Sequence, residues 1–352
     1  MPTLFDPIKL GALELRNRIV MAPLTRMRAV DQRAPGALNA QYYVQRASAG
    51  LILTEATSVT KQGVGYPNTP GIWSEKQVRA WTKVVEAVHD AGSKIVMQLW
   101  HVGRVSDPIY LDGAQPVAPS AIAPEGHVTL SSPRKAYEVP RALATDEIPG
   151  IVEDFRRAAE NAKRAGFDGV ELHAANGYLF DQFLHDGSNK RDDRYGGSIE
   201  NRARFLLEAV DAVLTVWPAE RVGVHLNLMS SSYSMADSDP VALFGYVAEQ
   251  LDQRQLAFIF GRESLDVARR ITPVVRARFK GAFIANDGLT PESAERLIAE
   301  GEADAVSFGK LYIANPDLVE RLQAQASFNP LNAGTIYGTD GVGYTDYPAL
   351  TG

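Results

Sequence analysis

Residues 169–178, Gly-Val-Glu-Leu-His-Ala-Ala-Asn-Gly-Tyr, read as a buried strand, Gly169–His173, that runs into a short turn. At the C-terminal end of that strand His173, Asn176 and Tyr178 emerge together. Two hydrogen-bond donors three residues apart, followed by a phenol, can hold an oxyanion and supply a proton. No metal-ligand spacing and no nucleophile motif has this form. What the three side chains do depends on what surrounds them.

Outward from this stretch, short β-rich runs alternate with amphipathic helical segments. The runs are Arg18–Thr25, Leu51–Val59, Lys94–Trp100, Gly169–Ala174, Arg221–Leu228, Leu256–Gly261, Phe283–Asp287 and Ala305–Lys310. Near-continuous apolar strands indicate burial on both faces, as in a parallel sheet. Helical patterns cover Ser74–Ala91, Asp146–Ala165, Asn201–Trp217 and Pro291–Glu300. Thr145 and Thr290 are placed to cap two of them, and Gly166 and Gly301 to end them. Eight such units predict an α/β fold, a (β/α)8 TIM barrel formed by a single domain over residues 1–352. A doubly wound sheet is the rival, but no G-x-G-x-x-G follows an early strand. Residues 1–17, with leucines alternating around Gly11, predict a hairpin that plugs the bottom of the barrel. Residues 101–145 predict a capping insertion after the third strand, which lids the site.

Composition bounds the function. The 352 residues are 45% hydrophobic and 22% charged, an ordinary globular balance. A net charge of −6 argues against nucleic acid as a partner. No apolar run is long enough to span a bilayer, and the N-terminus lacks the pattern of a signal peptide. With no cysteine, disulfides, thiolate metal sites and cysteine nucleophiles are excluded. A soluble cytoplasmic protein, monomer or homodimer, is the expectation.

In a barrel the active site is built where the strands end. Those ends carry Pro23, Leu24 and Thr25, then Ala56, then Gln98 and Trp100, then His173, and in the fifth strand His225. The seventh run ends in Asp287-Gly288 and the eighth in Gly309-Lys310. Glycines that admit a close ligand, a helix start and a lysine predict a phosphate site there. Thr25 and Gln98 suit an edge that both donates and accepts, such as a flavin pyrimidine ring, and Trp100 suits an aromatic face. Each of the three reads equally well alone as barrel packing. His89, His127 and His185 read as structural. No metal is expected.

Several segments in order, Ala22–Ala29 (APLTRMRA), Tyr43–Gly50 (YVQRASAG), Gly65–Gly71 (GYPNTPG), Gln98–Arg104 (QLWHVGR), His173–Tyr178, Arg194–Arg202 (RYGGSIENR), Ala314–Leu318 (ANPDL) and Gly343–Pro348 (GYTDYP), resemble the Old Yellow Enzyme family. The likeness covers nearly the whole chain and looks closest to its bacterial xenobiotic reductase B and N-ethylmaleimide reductase type. The resemblance implies non-covalent FMN, reduction by NADPH or NADH, and ping-pong hydride transfer to the β-carbon of an activated alkene, extending to nitro compounds and nitrate esters. It places Pro23, Leu24, Thr25, Ala56, Gln98 and His225 around the flavin ring, and Asp287, Gly288, Gly309 and Lys310 at the FMN tail. It gives the substrate oxygen to His173 and Asn176, the proton to Tyr178, and the pocket walls to Tyr66, Trp100 and Tyr337.

Three departures stand out. Most relatives carry arginine where His225 stands, so the reduced ring is expected to be less stabilised here. Lys310 stands where arginine is more usual at the phosphate, which keeps the charge but loses a bidentate fork. The segment Asn227–Tyr233 also leaves the family pattern. Arg262, just past the sixth strand, reads as a surface arginine or as the missing guanidinium. Two other functions stay open at this point: a flavin-binding barrel without useful turnover, and a phosphate-binding lyase or isomerase with Lys310 as Schiff base.

Overall fold

The computed structural model describes residues 1–129, 132–229 and 231–350, so Ser230 of the departing segment lies outside them. Its sheet closes on itself. The strands are β1 (Ile19–Met21), β2 (Leu51–Leu53), β3 (Ile95–Trp100), β4 (Gly169–Ala174), β5 (Val222–Asn227), β6 (Phe258–Arg262), β7 (Ala282–Asn286) and β8 (Ala305–Phe308). Each pairs in parallel with the next, and β8 returns to β1. Helices lie between consecutive strands, so the fold is the (β/α)8 barrel expected from the alternation.

The first two strands are shorter than their apolar runs. Pro23 has no N–H to give to a ladder. The second run breaks after Leu53, and Thr57–Ser58 forms a separate short piece on the end of β3. Between them the buried Glu55 accepts the amides of Arg26 and Met27, at 3.0 and 3.3 Å. Those amides are thereby satisfied outside the sheet.

Inside the barrel, Val20, Leu51, Leu53, Val96, Phe258 and Ile284 form one apolar cluster. Leu10, Leu13 and Leu15 join it from an antiparallel hairpin, Ile8–Leu10 with Leu13–Leu15. The outer helices bury one stripe each. Helix Glu75–Asp90 turns Val78, Trp81, Val84, Val85 and Val88 inward, at the 3.6-residue period. Ser74 and Gln77 exchange reciprocal bonds at its start, an arrangement worth about 1 kcal/mol.

The capping expectation holds for Thr290, whose hydroxyl accepts from the Ser293 amide ahead of helix Pro291–Ala299. It fails for Thr145. Helix Ile148–Arg164 has Glu147 at its cap position with no side-chain cap bond. The Thr145 hydroxyl is taken by the Asp193 carboxylate, while Glu147 accepts the Ala144 amide at 2.7 Å. Helix Ile199–Leu214 starts two residues before the expected Asn201, because Ser198 caps it, and ends three before Trp217.

Candidate active site

The turn after β4 is built to present side chains. Asn176 (φ 59°) and Gly177 (φ 80°) both lie in the left-handed region, which asparagine tolerates and glycine occupies freely. The Gly177 amide donates to Asp181 at 2.8 Å, and Gln182 donates to the Gly177 carbonyl at 2.7 Å. A Cβ on Gly177 would stand 2.9 Å from the Tyr233 ring. Held this way, Asn176 and Tyr178 leave the strand end on the same side as His173.

A cavity of about 450 Å³ opens over the barrel mouth, a size suited to a small ligand. Pro23, Leu24, Asn176, His225, Asp287, Gly288, Gly309 and Lys310 line it, all from the expected set. Phe260 and Arg262 line it as well. The surface reading of Arg262 is therefore corrected: its side chain is 35% exposed and bonds Asn176 and Asp287. It lies at the C-terminal end of β6 in register with Asn227 and Asn286, so it belongs to the ring of strand ends.

Against this cavity lies a polar layer. Gln98 donates from Nε2 to Glu171 at 2.6 Å and meets His225 Nδ1 at 3.1 Å. Read as that network requires, His225 accepts at Nδ1 and carries its proton on Nε2. His173 and His225 stack at 4.8 Å with planes 4° apart. Burial, with Arg262 adding, lowers His173 to about 3. Burial, with His173 and Arg262 adding, holds His225 well below its usual 6.5. Both rings are neutral donors near pH 7, so His225 brings no charge of its own.

A second group is aromatic. The Tyr66 hydroxyl bonds the Tyr178 hydroxyl at 2.8 Å and the Tyr233 hydroxyl at 2.9 Å. Trp100 packs 5.3 Å from Tyr66 and 5.1 Å from Tyr178. Ala56 belongs to the same cluster, and Thr25 is half-buried beside Leu24. Burial holds both Tyr66 and Tyr178 well above the usual 10, so both are neutral phenols. Tyr337, 44% exposed, stands nearest the outside. Its segment is tied down by Arg26 and Arg28, which donate to the carbonyls of Ile336, Val342 and Gly343. The APLTRMRA motif thus anchors the C-terminal segment as well as supplying Pro23 and Leu24.

Three residues here escaped the sequence reading: Glu171, Asn227 and Tyr233. Glu171 and Asn227 alternate with apolar neighbours, which a half-buried strand also does. Tyr233 is brought in by a loop whose position no local pattern encodes.

The donor set fits FMN. Glu171 Oε1, His173 Nδ1 and His225 Nε2 are buried without a hydrogen-bond partner among the described residues. Buried polar atoms are seldom left so, and the N–H of His225 suits the acceptor edge of a flavin. Gly288 (φ 64°), Gly309 and the exposed Lys310 offer backbone and one positive charge to a phosphate. Among the described residues no cluster of histidine and carboxylate side chains is arranged to hold a metal.

Glu171 makes a testable mark on stability. Burial raises it from the ordinary 4.5 to about 8, opposed by its bond from Gln98. The folded state binds the proton more tightly than the unfolded chain. Its contribution is full below pH 4.5 and is lost as pH rises through about 8. Glu171→Gln should therefore flatten the fall in melting temperature across that window. Parallel melting curves of the two proteins, measured at several pH values, would disprove this.

A model of the NADH:flavin oxidoreductase / NADH oxidase family matches residues 3–329. The chain is 44% identical over 361 residues to putative 12-oxophytodienoate reductase 4 of Oryza sativa subsp. japonica, across 99% of this chain and 93% of that protein. It is also 44% identical, over 360 residues, to 12-oxophytodienoate reductase 1 of the same plant, with the same coverage of 99% and 93%. Among solved structures, morphinone reductase in complex with tetrahydroNAD has a TM-score of 0.96 at 50% identity, covering 99% of this chain and 98% of that one. The old yellow enzyme homologue from Zymomonas mobilis has a TM-score of 0.96 at 44% identity, covering 99% and 100%. With a family match over most of its length and a cavity suited to the cofactor, the chain belongs to the NADH:flavin oxidoreductase / NADH oxidase family, that of Old Yellow Enzyme, and is an FMN-dependent NAD(P)H:flavin oxidoreductase.

Proposed function

We propose that this enzyme reduces the activated carbon–carbon double bond of α,β-unsaturated carbonyl compounds, with nitro compounds as a second class. The observation that carries the reading is a cavity-lining amide, Asn176, beside two neutral donors, His173 and Tyr178. FMN, when bound, would supply the hydride for the β-carbon, with NADPH or NADH as its reductant. As that carbon is reduced, negative charge gathers on the carbonyl oxygen. His173 and Asn176 donate to it and stabilise the transition state more than the ground state. Tyr178 delivers the proton to the α-carbon, and a neutral phenol is acidic enough for an enolate.

The other residues position. Pro23 to Thr25, Ala56, Gln98 and His225 border the ring, and Asp287, Gly288, Gly309 and Lys310 hold the tail. Tyr66, Trp100 and Tyr337 wall the substrate. Segment 101–145 lids the site, supported by Val102, Val105 and Val128 packing with Tyr66 and Trp100. The leucines of segment 1–17 support its reading as a plug. Relatives named as reductases of 12-oxophytodienoate and of morphinone agree with a carbonyl substrate. The Schiff-base reading of Lys310 loses its ground. That chemistry needs a desolvated amine, and Lys310 is exposed.

The test is anaerobic. NADPH or NADH should bleach the flavin of the purified enzyme, and 2-cyclohexen-1-one should restore its colour with formation of cyclohexanone. Cyclohexene, which lacks the oxygen, should not. A reduced flavin that the enone fails to reoxidise would instead support a flavin-binding barrel without turnover.

A further inference from the structure

Asn176 is gripped from behind. Its Oδ1 accepts from Arg262 Nη1 at 2.8 Å and from Asn227 Nδ2 at 3.0 Å. A carbonyl oxygen has two lone pairs, and both are engaged. Turning the carboxamide over would set its NH2 against a guanidinium and a second amide NH2, so the orientation is locked. The free Nδ2 is left as the donor of a residue that lines the cavity.

The clamp is made by consecutive strand ends. Asn227 closes β5, Arg262 closes β6 directly beside it, and Asp287 follows the end of β7. Asp287 accepts from Arg262 Nε at 3.1 Å, which fixes the guanidinium plane. The Arg262 Nε thus meets a carboxylate and its Nη1 the Asn176 oxygen. A hydrogen bond from a charged donor is stronger than a neutral one. It also polarises the group that accepts it, so the far N–H becomes a better donor.

We propose that Arg262, steadied by Asp287 and assisted by Asn227, is a positioning residue that locks and polarises the Asn176 carboxamide for the substrate oxyanion. This rests on the reading of Asn176 given above. Positive charge on β6 then reaches the reacting oxygen through an amide, without touching it. Neither neutral histidine in this layer supplies that charge.

The test is a double-mutant cycle on the FMN-bound enzyme with Arg262→Met, Asn176→Ala and both together. The first readout is the affinity of the oxidised enzyme for 4-nitrophenolate, whose oxygen stands in for the oxyanion, measured by calorimetry per bound flavin. The second is kcat and KM for 2-cyclohexen-1-one. Arg262→Met should weaken the phenolate and lower kcat by about tenfold, in line with losing one charge-assisted bond. In the Asn176→Ala background the same change should cost less than about twofold, because the two residues act as one unit. Equal loss in both backgrounds, or no loss in either, would overturn the proposal. If Asn176→Ala alone changes neither readout, the oxyanion reading fails, a result recognisable without Arg262. Should Arg262→Met not fold, Arg262→Lys runs the same cycle, since it keeps the charge and lacks the planar fork.

Discussion

Tyr178→Phe is expected to slow reoxidation of the reduced enzyme by 2-cyclohexen-1-one about 10²- to 10⁴-fold, the usual worth of a general acid. Reduction by NADPH should stay within about twofold, since that step needs no proton from this phenol. The substitution is mild for the fold. The ring keeps its edge contacts with Trp100 and His173, at 5.1 and 5.0 Å. Tyr66, which loses a partner at 2.8 Å, keeps Tyr233 at 2.9 Å. No buried hydroxyl is therefore stranded, and stability should fall by no more than about 1 kcal/mol. Stopped-flow measurement of the two half-reactions separates the roles. Equal slowing of both would make Tyr178 structural, and no slowing of either would move the proton elsewhere.

Removing both proposed oxyanion donors, His173→Ala with Asn176→Ala, should lower kcat/KM for the enone by about 10³-fold or more, given about 10² to 10³ for a single donor. The loss should be smaller than the product of the single losses, because both donors serve one oxygen. Reoxidation by ferricyanide, an acceptor with no carbonyl to hold, should barely change. If ferricyanide slows as much as the enone, the two residues serve the flavin and not the substrate. His173 also predicts a pH profile. Burial holds it at about 3, so its N–H is present throughout the neutral range. The rate with the intact enzyme should show no histidine titration near the ordinary 6.5.

Much of the barrel could be read along the chain. β4 has the bounds its apolar run suggests, Gly169–Ala174, because no turn residue or competing side chain interrupts it. The first two runs misled, since Pro23 cannot continue the first ladder and the second is interrupted at the buried Glu55 before Thr57–Ser58 pairs again. Thr145 misled for a different reason: a hydroxyl suited to capping was captured by Asp193, a residue 48 positions away. The candidate site divides the same way. His173, Asn176 and Tyr178 were readable because one strand end and one glycine turn present all three. Arg262 was readable only as two alternatives, a surface arginine or the missing guanidinium, and only the register of β5, β6 and β7 sets it beside Asn227 and Asp287.

By itself, then, the sequence determined the barrel and the side chains at each strand end, because periodicity and turn chemistry are local properties, while its motifs carried the resemblance to the family. The tertiary structure alone decided which of those side chains act on one another. It put Arg262 behind Asn176, Tyr233 against Tyr66, and the neutral pair His173 and His225 in contact. Those relations depend on register across the sheet and on the burial that sets charge state, and both arise only when distant strands close the barrel.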